Sequence, residues 1–180
     1  VERLRRSPGV AAAAPRVQAQ ALASTAAKSE GIVLIGIDPP AERSVTFIDR
    51  TIVQGNALAV GAEREIMIGR QLAEKLRLRL GEKMVVMVQA ANGELGTAAY
   101  RVSGIFATES TSFDGAFALI TLPAAQSLLA LGSRVSTVNI RLEDRSRLGP
   151  TVDKLRARFP APGLAFVPWQ ELLPQLDEMV

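Results

Sequence analysis

The sequence predicts an α+β fold in which a β-rich segment is inserted into an open sheet covered by helices on one face. Three observations support this class. Strand and helix patterns alternate through the last third of the chain, two strand patterns joined by a polar turn occupy the first forty residues, and strand patterns dominate residues 45–110. The outer elements match a split βαβ, ferredoxin-like unit in number. With 48% hydrophobic and 22% charged residues, the 180-residue chain can bury a substantial core.

The first residues predict the end of a helix followed by an extended strand. Residues 1–9 look like the last turns of a helix that stops at Pro8-Gly9. The alanine-rich segment that follows would suit a helix, but Pro15 would break it. From Val17, apolar and polar residues alternate with a period of two, which favours a strand with one solvated face.

A buried strand is predicted over residues 31–37, a largely β-branched apolar run. Asp38-Pro-Pro40 ends it in a proline turn, and polar residues 24–30 form the hairpin loop before it. Residues 45–53 are apolar without a clear period, so they receive no assignment.

The middle of the chain predicts a strand, a helix and a β-hairpin. Residues 66–68 form the strand, and the helix that opens at Gly69 directs three leucines, at positions 72, 76 and 80, toward the core. Residues 84–89 and 98–106 are the two hairpin strands. Asn92-Gly93 suits positive φ, so residues 90–96 are expected to form the hairpin tip.

The last third predicts strand, helix, strand, helix and strand. The strands cover residues 116–121, 135–142 and 164–167. Pro123 opens the first helix, which runs through Leu131 to a C-terminal Gly132. The second helix, residues 150–159, places Val152, Leu155 and Phe159 on one face.

Composition argues against most enzyme classes. The chain has no cysteine and no histidine, which removes thiolate nucleophiles and the commonest metal ligand and general base. The carboxylates Asp38, Asp49 and Glu63 are too scattered to predict a catalytic pair. Lys28 and Ser29 could support Ser-Lys chemistry, but no surrounding motif supports it. We therefore expect a non-catalytic domain without a cofactor or metal.

Charge and hydropathy limit the partners. The net charge is +3 and the pI is near 9.8, yet acids are interspersed with the basic residues. With one Trp and one Tyr there are few platforms for base stacking, so nucleic acid is not an expected partner. No stretch of 18 apolar residues occurs, and because the sequence begins without Met or a signal peptide we expect a segment of a longer protein.

A charged surface is predicted on the helix after Gly69. A solvated helix face explains this pattern, and contact with anionic lipid or a partner is the alternative. Its residues are Arg70, Glu74, Lys75, Arg77 and Arg79.

Five motifs in order resemble the MacB-like periplasmic core domain of ABC-transporter permeases, a superfamily with FtsX-type and lipoprotein-releasing LolC and LolE permeases. They are Pro8-Gly-Val10 with Ala14-Pro15, Val33-Leu-Ile-Gly-Ile-Asp-Pro39, Ile66-Met-Ile-Gly-Arg-Gln-Leu-Ala-Glu-Lys-Leu76 with Leu80-Gly-Glu-Lys83, Arg101-Val-Ser-Gly-Ile-Phe106, and Val167-Pro-Trp-Gln-Glu-Leu172.

This resemblance implies a domain on the periplasmic side of the bacterial inner membrane. It implies a porter-like subdomain, residues 1–44 and 111–180, interrupted by a β-rich "Sabre" subdomain, residues 45–110. A cytoplasmic ABC ATPase is the implied partner, since this chain has no GxxxxGK[ST] phosphate loop. A permease dimer partner and a periplasmic carrier or adaptor are further implied partners.

The predicted partner contacts lie at the hairpin tip, in the loop of residues 108–115 and near the end of the chain. They are Asn92, Gly93, Glu94, Leu95, Phe113 and Trp169. A solvated connection is the favoured explanation of the loop that contains Phe113, and Trp169 could equally cap the core. In LolC-type permeases a long hairpin loop hooks the lipoprotein carrier, whereas residues 89–97 form a short loop without an extended hook.

The sequence is therefore consistent with two functions. The first is the periplasmic domain of a permease that couples ATP-driven motion to export or release of a lipoprotein, lipid or other substrate. The second is a free-standing periplasmic adaptor or carrier that binds a protein.

Overall fold

A computed structural model describes residues 1–168, and these residues form eight β-strands and six α-helices. The strands are β1 Val10–Ser24, β2 Ser29–Ile37, β3 Ile52–Gly55, β4 Glu65–Gly69, β5 Lys83–Gln89, β6 Leu95–Phe106, β7 Phe117–Thr121 and β8 Thr137–Leu142. The helices are α1 Glu2–Arg5, α2 Pro39–Arg43, α3 Arg70–Leu76, α4 Thr111–Asp114, α5 Leu122–Leu128 and α6 Leu148–Arg158. The α+β class is thereby confirmed.

The chain folds into two compact units. The larger is Ala13–Asn139, and the smaller combines Val1–Ala12 with the described part of Ile140–Val180. Strands β1 and β8 run through both units. The division into residues 1–44, 45–110 and 111–180 stays a prediction.

Six strands of the larger unit close into a ring. Their order is β2-β7-β4-β6-β5-β1, and β1 also pairs with β2. Closure occurs because Ala21–Ser24 of β1 pair with β2 along one edge and with β5 along the other. The predicted open sheet is thus wrong, since β1 is long enough to hold two partners that lie far apart in sequence.

The ring contains two parallel and four antiparallel strand pairs. Strands β5 and β6 form the predicted antiparallel hairpin, whereas β4 pairs parallel to β6 and β2 pairs parallel to β7. Strand β4 also meets β7 in an antiparallel pair, and β3 lies off the ring on β6. The strands of residues 45–110 therefore share one hydrogen-bonded sheet with those on either side of them.

Two apolar clusters form the core of the larger unit. The first receives side chains from all six ring strands and from α3 and α5, and the second packs on the other face of β2, β4, β6 and β7. Strand β4 shows the division, because successive strand residues face opposite sides. Ile66 and Ile68 enter the first cluster, and Met67 enters the second.

The smaller unit packs around α6. As predicted, Val152 and Leu155 are buried, whereas Phe159 is only partly covered. Gly9, at the end of the predicted helical remnant, has φ of +83°, and a Cβ there would lie 3.2 Å from Cγ2 of Thr151. Glycine is needed because both the backbone angle and the close approach disfavour a side chain.

Several element boundaries differ from the prediction. Helix α3 ends at Leu76 because Arg77 adopts a left-handed conformation, so the prediction that Leu80 faces the core is wrong and its side chain is 39% exposed. Helix α5 ends at Leu128, before the predicted Leu131. Residues 164–167 form no strand and lie largely at the surface.

Residues 38–55 also differ from the prediction. Pro39 opens α2 instead of a turn, which agrees with the tolerance of the first helical turn for proline. The unassigned apolar run forms a 3-10 helix, Ile48–Thr51, followed by β3.

Candidate functional site

The predicted hairpin tip is present and sharply turned. Strands β5 and β6 pair from Lys83 opposite Arg101 to Gln89 opposite Leu95, which leaves residues 90–94 as the connection. The N–H of Ala90 donates to the carbonyl of Glu94 at 2.8 Å, and that of Gly93 donates to the carbonyl of Ala90 at 2.9 Å. Gly93 has φ of +84°, as the Asn-Gly pattern predicts.

Side chains within the tip hold one another in place. The Asn92 amide nitrogen donates to Oε2 of Glu94 at 2.7 Å, and the Glu94 N–H donates to Oδ1 of Asn92 at 3.1 Å. Leu95, the first residue of β6, is 69% exposed beside them. The tip therefore presents one carboxylate and one exposed leucine side chain to solvent.

The tip is braced by the end of α5. The N–H of Ala91 donates to the carbonyl of Leu129 at 2.9 Å. A Cβ at Gly96 would lie 2.3 Å from the carbonyl oxygen of Leu128, so only glycine permits this approach. The sequence analysis did not predict this packing role of Gly96, because nothing near it in sequence indicates its neighbour in space.

Phe113 does not join the tip. Its ring stacks on Phe117, with centroids 4.2 Å apart, and lies 5.7 Å from the ring of Phe106. Phe106 and Leu95 stand at opposite ends of β6, about 36 Å apart at the usual rise per strand residue. The partner role of Phe113 stays a prediction, and Trp169 lies outside the described residues.

A buried aspartate fixes the loop before Phe113. Asp114 is 3% exposed and accepts hydrogen bonds from the N–H of Thr108, at 3.0 and 2.9 Å, and from its hydroxyl at 2.8 Å. Ser110 caps α4 by accepting from the N–H of Phe113 at 3.2 Å. A Cβ at Gly69 would lie 2.1 Å from the Asp114 carbonyl oxygen. The loop thus has a defined conformation.

An ion pair that is largely buried attaches α2 to β1. Arg16 donates to both carboxylate oxygens of Glu42, at 3.0 Å from Nε and by a short bond from Nη2. The hydroxyl of Thr46 donates to Oε1 of Glu42 at 2.7 Å. When the Asn139 amide is oriented with its oxygen toward Arg16, that oxygen accepts a hydrogen bond from Nη1 of Arg16 at 2.9 Å. Ser136 donates its N–H to the carbonyl of Arg16 at 3.0 Å.

Two groups have clearly shifted pKa values. Burial raises the pKa of Tyr100, against the opposing effect of the positive charge of Arg64. Hydrogen bonds from the hydroxyl and the N–H of Ser146, at 2.7 and 2.9 Å, lower the pKa of exposed Asp144, assisted by the charge of Arg147. Burial of the phenol explains the raised pKa of Tyr100, and hydrogen bonds to a solvent-exposed turn carboxylate explain the lowered pKa of Asp144.

Residues 1–168 hold no group of three or more His, Cys, Asp or Glu residues that could bind a metal ion. Over the same residues, no helix is long and apolar enough to cross a membrane.

Comparison with known proteins identifies the family. The MacB-like periplasmic core domain matches residues 1–158. The chain is 29% identical over 142 residues to the lipoprotein-releasing system transmembrane protein LolC of Neisseria meningitidis, which covers 76% of the chain and 34% of that protein. The chain thus spans about a third of the length of this relative.

Two solved structures share the fold. The periplasmic region of MacB from Actinobacillus actinomycetemcomitans superposes with a TM-score of 0.65 at 12% identity, covering 99% of this chain and 81% of that one. The extracellular domain of the noncanonical ABC-type transporter YknZ, from Gram-positive bacteria, gives 0.62 at 16% identity, covering 87% and 80%. With the family match over residues 1–158, the chain belongs to the MacB-like periplasmic core domains of ABC-transporter permeases.

Proposed function

We propose that this domain couples ATP-driven movement of a permease to the export or release of a lipoprotein, a lipid or another periplasmic substrate. Membership of the MacB-like family, matched over residues 1–158, carries the proposal. ATP hydrolysis takes place on a separate cytoplasmic subunit or domain, and the permease pairs with a second permease subunit. The domain itself makes and breaks no covalent bond.

The mechanism we propose is mechanical. A ring of hydrogen-bonded strands resists deformation, because changing one pair strains its neighbours. The hairpin tip is tied by the contacts of Ala91 with Leu129 and of Gly96 with Leu128. Movement of the larger unit would therefore carry the tip with it.

The tip, Asn92–Leu95, is the surface that we propose for a periplasmic carrier or adaptor. Leu95 offers an apolar contact of the kind that partner proteins bury, and Glu94 adds a charge that selects a basic partner. Release of a lipoprotein is the favoured activity because the LolC relative is a lipoprotein-releasing protein.

The test uses the full-length permease and its ATPase in proteoliposomes that contain a fluorescent lipoprotein. Leu95→Asp should lower ATP-dependent release about tenfold, the effect of losing one buried apolar contact. Val60→Asp is the matched control, since Val60 is 76% exposed and lies outside the tip. Basal ATP hydrolysis should be unchanged in both variants.

Equal ATP-dependent release by the wild-type protein and Leu95→Asp would mean that lipoprotein release does not depend on the tip. A parent protein that neither copurifies with an ATPase nor changes its rate of ATP hydrolysis would contradict the coupling function. That second result would favour the free-standing adaptor.

A further inference from the structure

A groove of about 420 Å³ separates α3 from β3 and β6 in the larger unit. Helix α3 lines it with Arg70 and Glu74, which lie on one helix face, and Arg77, the residue that ends the helix, lines it next to them. Arg79 follows on the same side. Gln54 of β3 and Ile105 of β6 line the groove as well. We name this feature the arginine groove.

Positive charge predominates among the residues that line the arginine groove. The side chains of Arg70, Arg77 and Arg79 are exposed, and within residues 1–168 none of the three guanidinium groups forms an ion pair or a hydrogen bond. Glu74 is the one acid among the lining residues, and it is likewise outside every ion pair of the described chain. The lining residues therefore carry an excess of two positive charges, and the Glu82 carboxylate lies beside them, where it accepts a hydrogen bond from the N–H of Arg79 at 2.8 Å.

Arg77 occupies a position that glycine normally fills. Its φ is 55° and its ψ is 42°, at the left-handed end of α3. The N–H of the next residue, Leu78, donates to the carbonyl of Ala73 at 2.8 Å, which closes the helix in the usual glycine-ended arrangement. The backbone would accept glycine more easily than arginine, so replacing Arg77 with glycine removes the guanidinium group without straining the turn.

We propose that the arginine groove binds a phosphate group, carried by a lipid headgroup or by a soluble phosphate. Guanidinium groups present paired N–H donors that match phosphate oxygens, and arginine is preferred where a phosphate is bound in two-point contact. A volume of about 420 Å³ is within the range of small-ligand sites. Ile105 is ten residues along β6 from Leu95, about 33 Å at the usual strand rise, so this site is separate from the tip.

The test titrates the full 180-residue chain, labelled with ¹⁵N, with inorganic phosphate and separately with a short-chain phosphatidylglycerol below its micelle concentration. The amides of Arg77, Leu78 and Ile105 should shift in a saturable way. Arg77→Gly should weaken binding about tenfold, as expected for the loss of one charge-assisted contact. Because glycine suits the left-handed backbone, this variant should melt no lower than wild type.

Arg64→Gln is the control, because it removes one exposed positive charge outside the groove. It should retain wild-type affinity. Tighter binding of phosphatidylglycerol than of inorganic phosphate would identify a lipid headgroup, and equal binding would identify a free phosphate. The proposal fails if neither probe gives saturable shifts at the groove, or if Arg77→Gly and Arg64→Gln weaken binding equally.

Discussion

Replacing Glu42 with glutamine should strongly destabilise the larger unit. The side chain of Glu42 is 2% exposed and that of Arg16 is 19% exposed, so the variant leaves a mostly buried guanidinium without its counter-charge. Removing one partner of a buried pair costs about 3–5 kcal/mol, and the partial exposure of Arg16 places the expected loss near the lower value. Glutamine keeps the shape of the side chain, so the loss reports charge and not packing.

Urea unfolding of the full chain, followed by far-UV circular dichroism, measures this loss. The double variant Arg16→Met with Glu42→Leu should lose about 1 kcal/mol or less, because both charges leave together. Asp49→Asn is the surface control, since its contact with Arg43 is 3.8 Å long and more exposed, and it should change stability by less than about 0.5 kcal/mol. A Glu42→Gln protein within about 1 kcal/mol of wild type, or a double variant as unstable as the single, would refute the reasoning.

Three further predictions concern packing, the tip and pH. Gly36→Ala should lower the free energy of unfolding in urea by about 1–3 kcal/mol, because the new Cβ would lie 2.3 Å from that of Ala125. Gly31→Ala is the control and should leave this free energy unchanged, because no atom lies within 4 Å of the Cβ position. Equal effects of the two substitutions would contradict the packing argument. Gly93→Ala should cost about 1 kcal/mol because φ is +84° there, and an unchanged unfolding midpoint would argue against the turn geometry. Since burial raises the pKa of Tyr100 above its ordinary 10.0, the stability that the neutral phenol contributes is complete below that pH and is lost as pH rises through the folded-state pKa. Phenolate absorbance should therefore appear together with loss of circular dichroism, and a titration near pH 10 in the folded protein would contradict the burial.

The sequence predicted local elements well where their pattern was strong. The period-two alternation from Val17 identified β1, and Asn92-Gly93 identified the tip. The sequence analysis missed the start of β1 at Val10, because Pro15 argues against regular structure when the strand pairing around it is unknown. Pairing with β2 begins only at Arg16, so the missing N–H of Pro15 breaks no bond in that ladder.

Features that depend on distant residues could not be predicted. Closure of the ring rests on Ala21 pairing with Val88, a register that no local pattern encodes. The end of α3 depends on Arg77 adopting a conformation that arginine rarely takes. The tip residues were predicted together with Phe113, but the length of β6 separates them, and that separation appears only once the strand pairing is known.

Closure of the ring also limits how this domain can change during evolution. Deleting residues 45–110 would remove β4, β5 and β6 and leave β1 and β7 each with an unpaired edge. Exposed strand edges recruit other chains and promote aggregation. New lengths of sequence can be accommodated in the connections, such as residues 90–94, without breaking a strand pair. Insertions in such connections would therefore leave the ring closed, whereas loss of the whole segment would open it, and any exchange of the segment must preserve the strands that complete the ring.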